Sequence, residues 1–136
     1  MTDRDCLTLI VPPKAVYVRT VRLAVGGLAS VVGFDVEAID DLRIAVDELW
    51  SVLLDLGQGE ITLLATVGDQ HLGVRGNAAA EAHPADVESD RLEFSRAILS
   101  VVADQYELTI IDGIVTCSFE RSVDDLGEAK LEAADR

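Results

Sequence analysis

The chain has 136 residues, enough for one domain with a core of its own. Hydrophobic residues are 49% and charged residues 26%, which excludes a disordered chain, and aromatics are only 4%, so aliphatic side chains must fill the interior. A net charge of −14 repels phosphate backbones and anionic lipid, so the expected partner is neither nucleic acid nor membrane but a basic protein, unless the acidity serves solubility alone.

Leu7 to Val11 is a short apolar run stopped by Pro12 and Pro13, and it reads as an edge strand. From Lys14 to Val32 the period becomes helical, with Val18, Val21, Val25 and Leu28 on one stripe. Gly33 ends that helix. Asp35 is the expected N-cap of a second helix that runs to about Leu56, burying Ile39, Leu42, Val46, Leu49 and Leu53. Glu60 to Val67 and His71 to Arg75 read as a hairpin turning at Gly68-Asp69. Gly76 to Asp90 reads as a polar, alanine-rich loop containing Pro84. A third helix follows from Leu92 to Ala103, with Phe94, Ile98, Leu99 and Val102 inward. Tyr106 to Ile111 and Ile114 to Phe119 form a second hairpin about Asp112-Gly113, a strong turn dipeptide.

The order strand, two helices, hairpin, helix, hairpin predicts an α+β fold: a two-layer sandwich in which three helices cover one face of a mainly antiparallel sheet. Residues 1–121 form the single domain, and 122–136 read as a charged tail, frayed or weakly helical. Cys6 and Cys117 lie far apart with no metal-ligand spacing, and Cys117 sits in an alternating run as a small core residue. The charged start carries no signal peptide and no stretch approaches transmembrane length, which together point to the cytoplasm.

Three segments carry a resemblance. They are Leu7-Thr-Leu-Ile-Val-Pro-Pro-Lys, then Tyr17-Val-Arg-Thr-Val-Arg-Leu, and Gly33-Phe-Asp-Val-Glu-Ala-Ile-Asp-Asp-Leu-Arg-Ile-Ala-Val-Asp-Glu48. With the last helix and hairpin they resemble the anti-sigma-factor, serine-protein-kinase branch of the histidine-kinase-like (GHKL) ATPases over roughly residues 7–121. The resemblance implies that fold, a homodimer, and binding to a sigma factor and to a STAS-type antagonist.

In that family, ATP chemistry rests on three motifs, and this chain departs from each. The first is a Glu followed four residues later by a magnesium-holding Asn on the same helix face. Glu48 is present, but position 52 is Val52, which offers no oxygen to a hard cation. Ser51 points about 100° away from that position, and Asp55 lies a turn further along. The second is an Asp-x-Gly-x-Gly loop that reads adenine. Here it is Gly76-Asn-Ala-Ala-Ala80, leaving Asn77 as the one group able to hydrogen-bond a base. The third is a glycine-rich lid whose backbone amides meet phosphates. Here it is Glu88-Ser-Asp-Arg-Leu-Glu-Phe-Ser-Arg96, without glycine.

No bound ATP, magnesium or other metal is therefore expected. Glu48 is either a residual general base or a helix-surface carboxylate left behind. Trp50 fills either the core or the vacated cleft. Arg19 and Arg22 stand out on the first helix. The resemblance makes Arg19 a contact for sigma factor and antagonist, whereas the simpler reading of the two is a solvated pair. Asp40, Asp41 and Asp47 read as a solvated helix face or a surface for a basic partner. His71 and His83 lack a second ligand at useful spacing. The leading expectation is a non-catalytic protein that sequesters a sigma factor or antagonist. The alternatives are an ATP-dependent serine kinase acting on the antagonist and a subunit that modulates an active paralogue.

Overall fold

Five strands form one sheet in the computed structural model, which describes residues 4–81 and 88–123. They are β1 (Asp5–Val11), β2 (Gly57–Gly68), β3 (His71–Ala80), β4 (Gln105–Ile111) and β5 (Ile114–Ser122). The sheet order is β1-β2-β3-β5-β4, and every pairing is antiparallel. Three helices cover one face: α1 (Val18–Val32), α2 (Val36–Leu56) and α3 (Glu88–Val102). This is the α+β sandwich expected from the pattern. His83, Pro84 and most of the proposed tail lie outside the described residues.

Local chemistry sets the helix ends. Gly33 takes φ +94, the left-handed conformation that Cβ-bearing residues avoid, and its N–H donates to Ala29. The Asp35 carboxylate accepts from the Ala38 N–H at 2.8 Å, which caps α2. A single 3-10 turn, Ala15–Tyr17, precedes α1. Asp112 and Gly113 both have positive φ, 53° and 76°, as a tight two-residue hairpin requires.

α2 lies between α1 and α3 above the sheet, and ten of its residues are buried. Leu42, Val46, Leu49 and Leu53 face inward as the period predicts. Trp50 is 2% exposed and belongs to the core, with its indole N–H unpartnered. α1 buries only Val21, Val25 and Ala29, while Val18 and Leu28 are half-buried against the core. Ala15–Val32 also corrects an expectation: its 18 helical residues have a mean hydropathy of 1.4, so this one stretch does reach spanning length and composition. Its inner face packs within this domain.

Three further readings change. The first hairpin turns at Asp69-Gln70, because Gly68 still pairs with His71 and Gln70 takes the positive φ. β3 continues through Gly76 to Ala80, where a loop was expected. Its small residues reflect close packing: a Cβ at Gly76 would stand 2.4 Å from Leu53 Cδ1 and 3.2 Å from Leu49 Cδ2. The inward stripe of α3 is also shifted. Ser95, Leu99 and Val102 are buried, whereas Phe94 is exposed.

Candidate functional site

Residues 48, 51 and 55 follow one another at i, i+3 and i+7, so they form a single stripe on α2. That stripe faces α3, and Arg91 from the first turns of α3 reaches into it. Arg91 Nη1 donates to Glu48 Oε1 at 2.8 Å, Nη2 to Ser51 Oγ at 2.6 Å, and Nε to Asp55 Oδ2 at 3.0 Å. One turn along α3, the Ser95 hydroxyl donates to the same Glu48 oxygen at 2.5 Å. Glu48 and Ser95 are both buried. The polar members of the α3 stripe thus match a polar stripe on α2.

Glu48 is therefore not a surface carboxylate. It is buried and charge-paired, an arrangement in which losing the cation leaves an uncompensated buried charge. Ser51, about 100° from position 52 around the helix, lies on the Glu48 side and joins it in the Arg91 cluster. Beneath them, Cys117 is fully buried. Burial first, and then the negative charge of Glu48, push its thiol up to about 12, with Arg91 opposing.

These residues do not compose the metal and nucleotide set that the resemblance implies. Val52 is fully buried and brings no oxygen. The oxygens nearest it along α2 already receive a guanidinium. At Gly76, where the base-reading carboxylate would start, Leu53 fills the space a side chain needs. Asn77 does not supply a substitute. It alternates with the inward-facing Gly76 and Ala78, so it lies on the sheet face away from the helices, where its Oδ1 accepts from Thr116 Oγ1 at 2.7 Å. On that same open face, His71 approaches Ser122 and Glu120, at 3.3 and 3.6 Å, beside Arg75 and Glu107.

A second feature lies between α1 and α2. A groove of about 660 Å³ has Leu23, Val25, Ala29, Ile39, Leu42 and Val46 along it, with Arg19, Arg22 and Arg43 at its border. Arg22 grips Asp47 through two hydrogen bonds, 2.6 and 2.9 Å, and these raise its pKa further above the ordinary value. Arg43 stands 3.9 Å from Asp40. Arg19 is exposed. Arg121 from β5 joins Asp41 and also donates to the Val102 carbonyl at 2.9 Å, tying α2, α3 and the sheet together. Each of the three aspartates thus meets an arginine, while their side chains stay open to water as a solvated face would.

Arg91 and Ser95 carry the centre of the site, and the sequence reading passed over both. The signal was present as a spacing, because residues 91, 95, 99 and 102 form one helical stripe. Two polar members hid it.

No family model matches the chain. The serine-protein kinase RsbW of Listeria monocytogenes serotype 4a is 32% identical over 130 residues, covering 92% of this chain and 80% of its own length. The RsbW kinase of Listeria innocua serovar 6a is 51% identical over 47 residues, 35% of this chain and 30% of its own. Among solved structures, the RsbU and RsbW domains of a Mycobacterium tuberculosis protein superpose with a TM-score of 0.69 at 14% identity. That match covers 87% of this chain and 32% of the other, so the chain spans about a third of that two-domain molecule and shares its fold.

Proposed function

Since the chain belongs to the RsbW family of serine-protein kinases, we propose that it acts there as a regulatory binding protein that sequesters a sigma factor or a STAS-type antagonist without catalysing phosphotransfer. One observation carries this reading: Arg91 occupies the oxygens of Glu48, Ser51 and Asp55, beside a buried Val52. Phosphotransfer of this class depends on cations and donors positioned around the triphosphate, whereas the Arg91 cation in the seam between α2 and α3 is already committed to the side chains of α2. Function then moves to the surface. The α1–α2 groove offers apolar area framed by arginines on a chain of net charge −14. It suits an amphipathic segment whose acidic group meets Arg19. Partner competition for this surface, on a homodimer as the resemblance implies, would regulate it in the cytoplasm.

The test has two arms. Capture with the purified chain against the host's sigma factors and STAS proteins should recover at least one of them, and recovery of none would sink the partner assignment. Titration of labelled ATP with Mg²⁺ should show no saturable binding, and micromolar affinity would sink the non-catalytic reading. A second reading, a serine kinase using Glu48 as base, is favoured by the kinases among its relatives and by the retention of that carboxylate. It requires antagonist phosphorylation that disappears in Glu48→Ala.

A further inference from the structure

Arg91 sets three separate nitrogens on three oxygen-bearing residues of one α2 stripe. A guanidinium has five donors in a fixed fork, carries a permanent charge, and loses little freedom per bond made. The cluster holds two carboxylates, Glu48 and Asp55, and one cation. The Ser95 hydroxyl supplies a further donor to the more buried of the two acids. Only 18% of the Arg91 side chain is exposed, so the pair with Glu48 is shielded from solvent and from salt.

We infer that Arg91 is a resident counter-ion: its guanidinium matches the charge of Glu48 and Asp55 across the seam, keeps a divalent cation out of it, and thereby latches α3 to α2. The inference deepens the non-catalytic reading and rests on it for taking α2 as the counterpart of the family's metal-bearing helix. Three consequences follow from the chemistry. The α2–α3 seam is a closed joint in the wild-type chain. Its integrity depends on the charge of Glu48 being matched, more than on the bulk of Arg91. An added divalent cation gains a place there only when Arg91 is gone.

Urea denaturation of wild type, Arg91→Ala, Glu48→Gln and the double variant tests the latch. Arg91→Ala should lower the folding constant by about a hundredfold or more, the scale for stranding a buried charge. The double variant should regain much of that loss, because a neutral amide needs no counter-ion. Equal losses from Arg91→Ala with and without Glu48→Gln overturn the latch. Should Arg91→Ala fail to fold, Arg91→Lys tests the charge instead: it keeps the charge but not the fork and should retain most of the stability, and failure of Arg91→Lys to fold as well overturns the latch. Thermal midpoints with added Mn²⁺ test the replacement: the midpoint of Arg91→Ala should rise while that of wild type stays put. Equal responses in the two proteins, including none in either, overturn it. ATP binding by wild type without any divalent cation would sink the non-catalytic reading alone and leave the coupling between Arg91 and Glu48 as measured.

Discussion

Arg22 on α1 and Asp47 on α2 face each other through two parallel hydrogen bonds, 2.6 and 2.9 Å long, at the border of the groove between their helices. The pair is bidentate but open to water, with about two-fifths of each side chain exposed. Such pairs add little to stability and are screened by salt. Asp47→Ala should therefore leave the denaturation midpoint nearly unchanged in high salt and lower it slightly in low salt. Its larger effect should be on partner binding, because it frees Arg22 beside the groove. Binding constants for wild type and variant at two salt concentrations check both.

Arg19 is exposed on the same helix and lines the same groove. Arg19→Ala should weaken partner binding about tenfold or more, the range of an arginine anchor. The thermal midpoint should barely move, since the residue is exposed. Calorimetric titration with the captured partner, beside a melting curve, reads both. Equal binding by the variant would place the contact elsewhere.

Gly76 sits beneath α2, where a Cβ would stand 2.4 Å from Leu53 Cδ1 and 3.0 Å from Leu63 Cδ2. Gly76→Asp restores in sequence the carboxylate that the ATP-binding relatives are expected to carry. It should nevertheless destabilise the chain by about 1–3 kcal/mol through crowding, with a further cost for burying a charge. It should not create ATP binding. Urea denaturation and a nucleotide titration of the variant decide these points.

Cys117 is buried and Cys6 exposed. Alkylation of the native protein near pH 8 should therefore label Cys6 alone, and unfolding should expose the second thiol. The Cys117 pKa rises from 9.0 to about 12 on folding. The folded state holds this proton more tightly than the unfolded chain does. The stability that this contributes is complete below about pH 9 and is lost as the pH climbs toward 12. Denaturation midpoints across that alkaline window should fall, and Cys117→Ala should flatten the decline.

Periodicity carried most of the fold. The stripe of α2, the caps at Asp35 and Gly33, and the Asp112-Gly113 turn were all readable, because each depends on neighbours within a few residues. Readings failed where a distant packing partner decided the outcome. Gly76 to Ala80 has the composition of a loop, but those small residues serve the close approach of α2 to β3. Asn77 was considered for a ligand role by chain position, although strand alternation turns it to the opposite face. At the site, Glu48 and Val52 were visible through the resemblance. The cluster was not, since Arg91 lies 43 positions from Glu48 along the chain and only the folded seam joins them.

Gly26 and Gly27 stand in the middle of α1, and a Cβ at either would meet nothing within 4 Å. No packing among the described residues requires them, yet each costs a helix about 1 kcal/mol relative to alanine. The same helix is anchored by three buried side chains, against ten for α2. Its backbone amides should therefore exchange with solvent through local opening long before those of α2. The groove thus borders the element that opens most cheaply. A partner seated there would suppress that opening, and its affinity would carry the free energy of ordering α1 along with that of its own contacts.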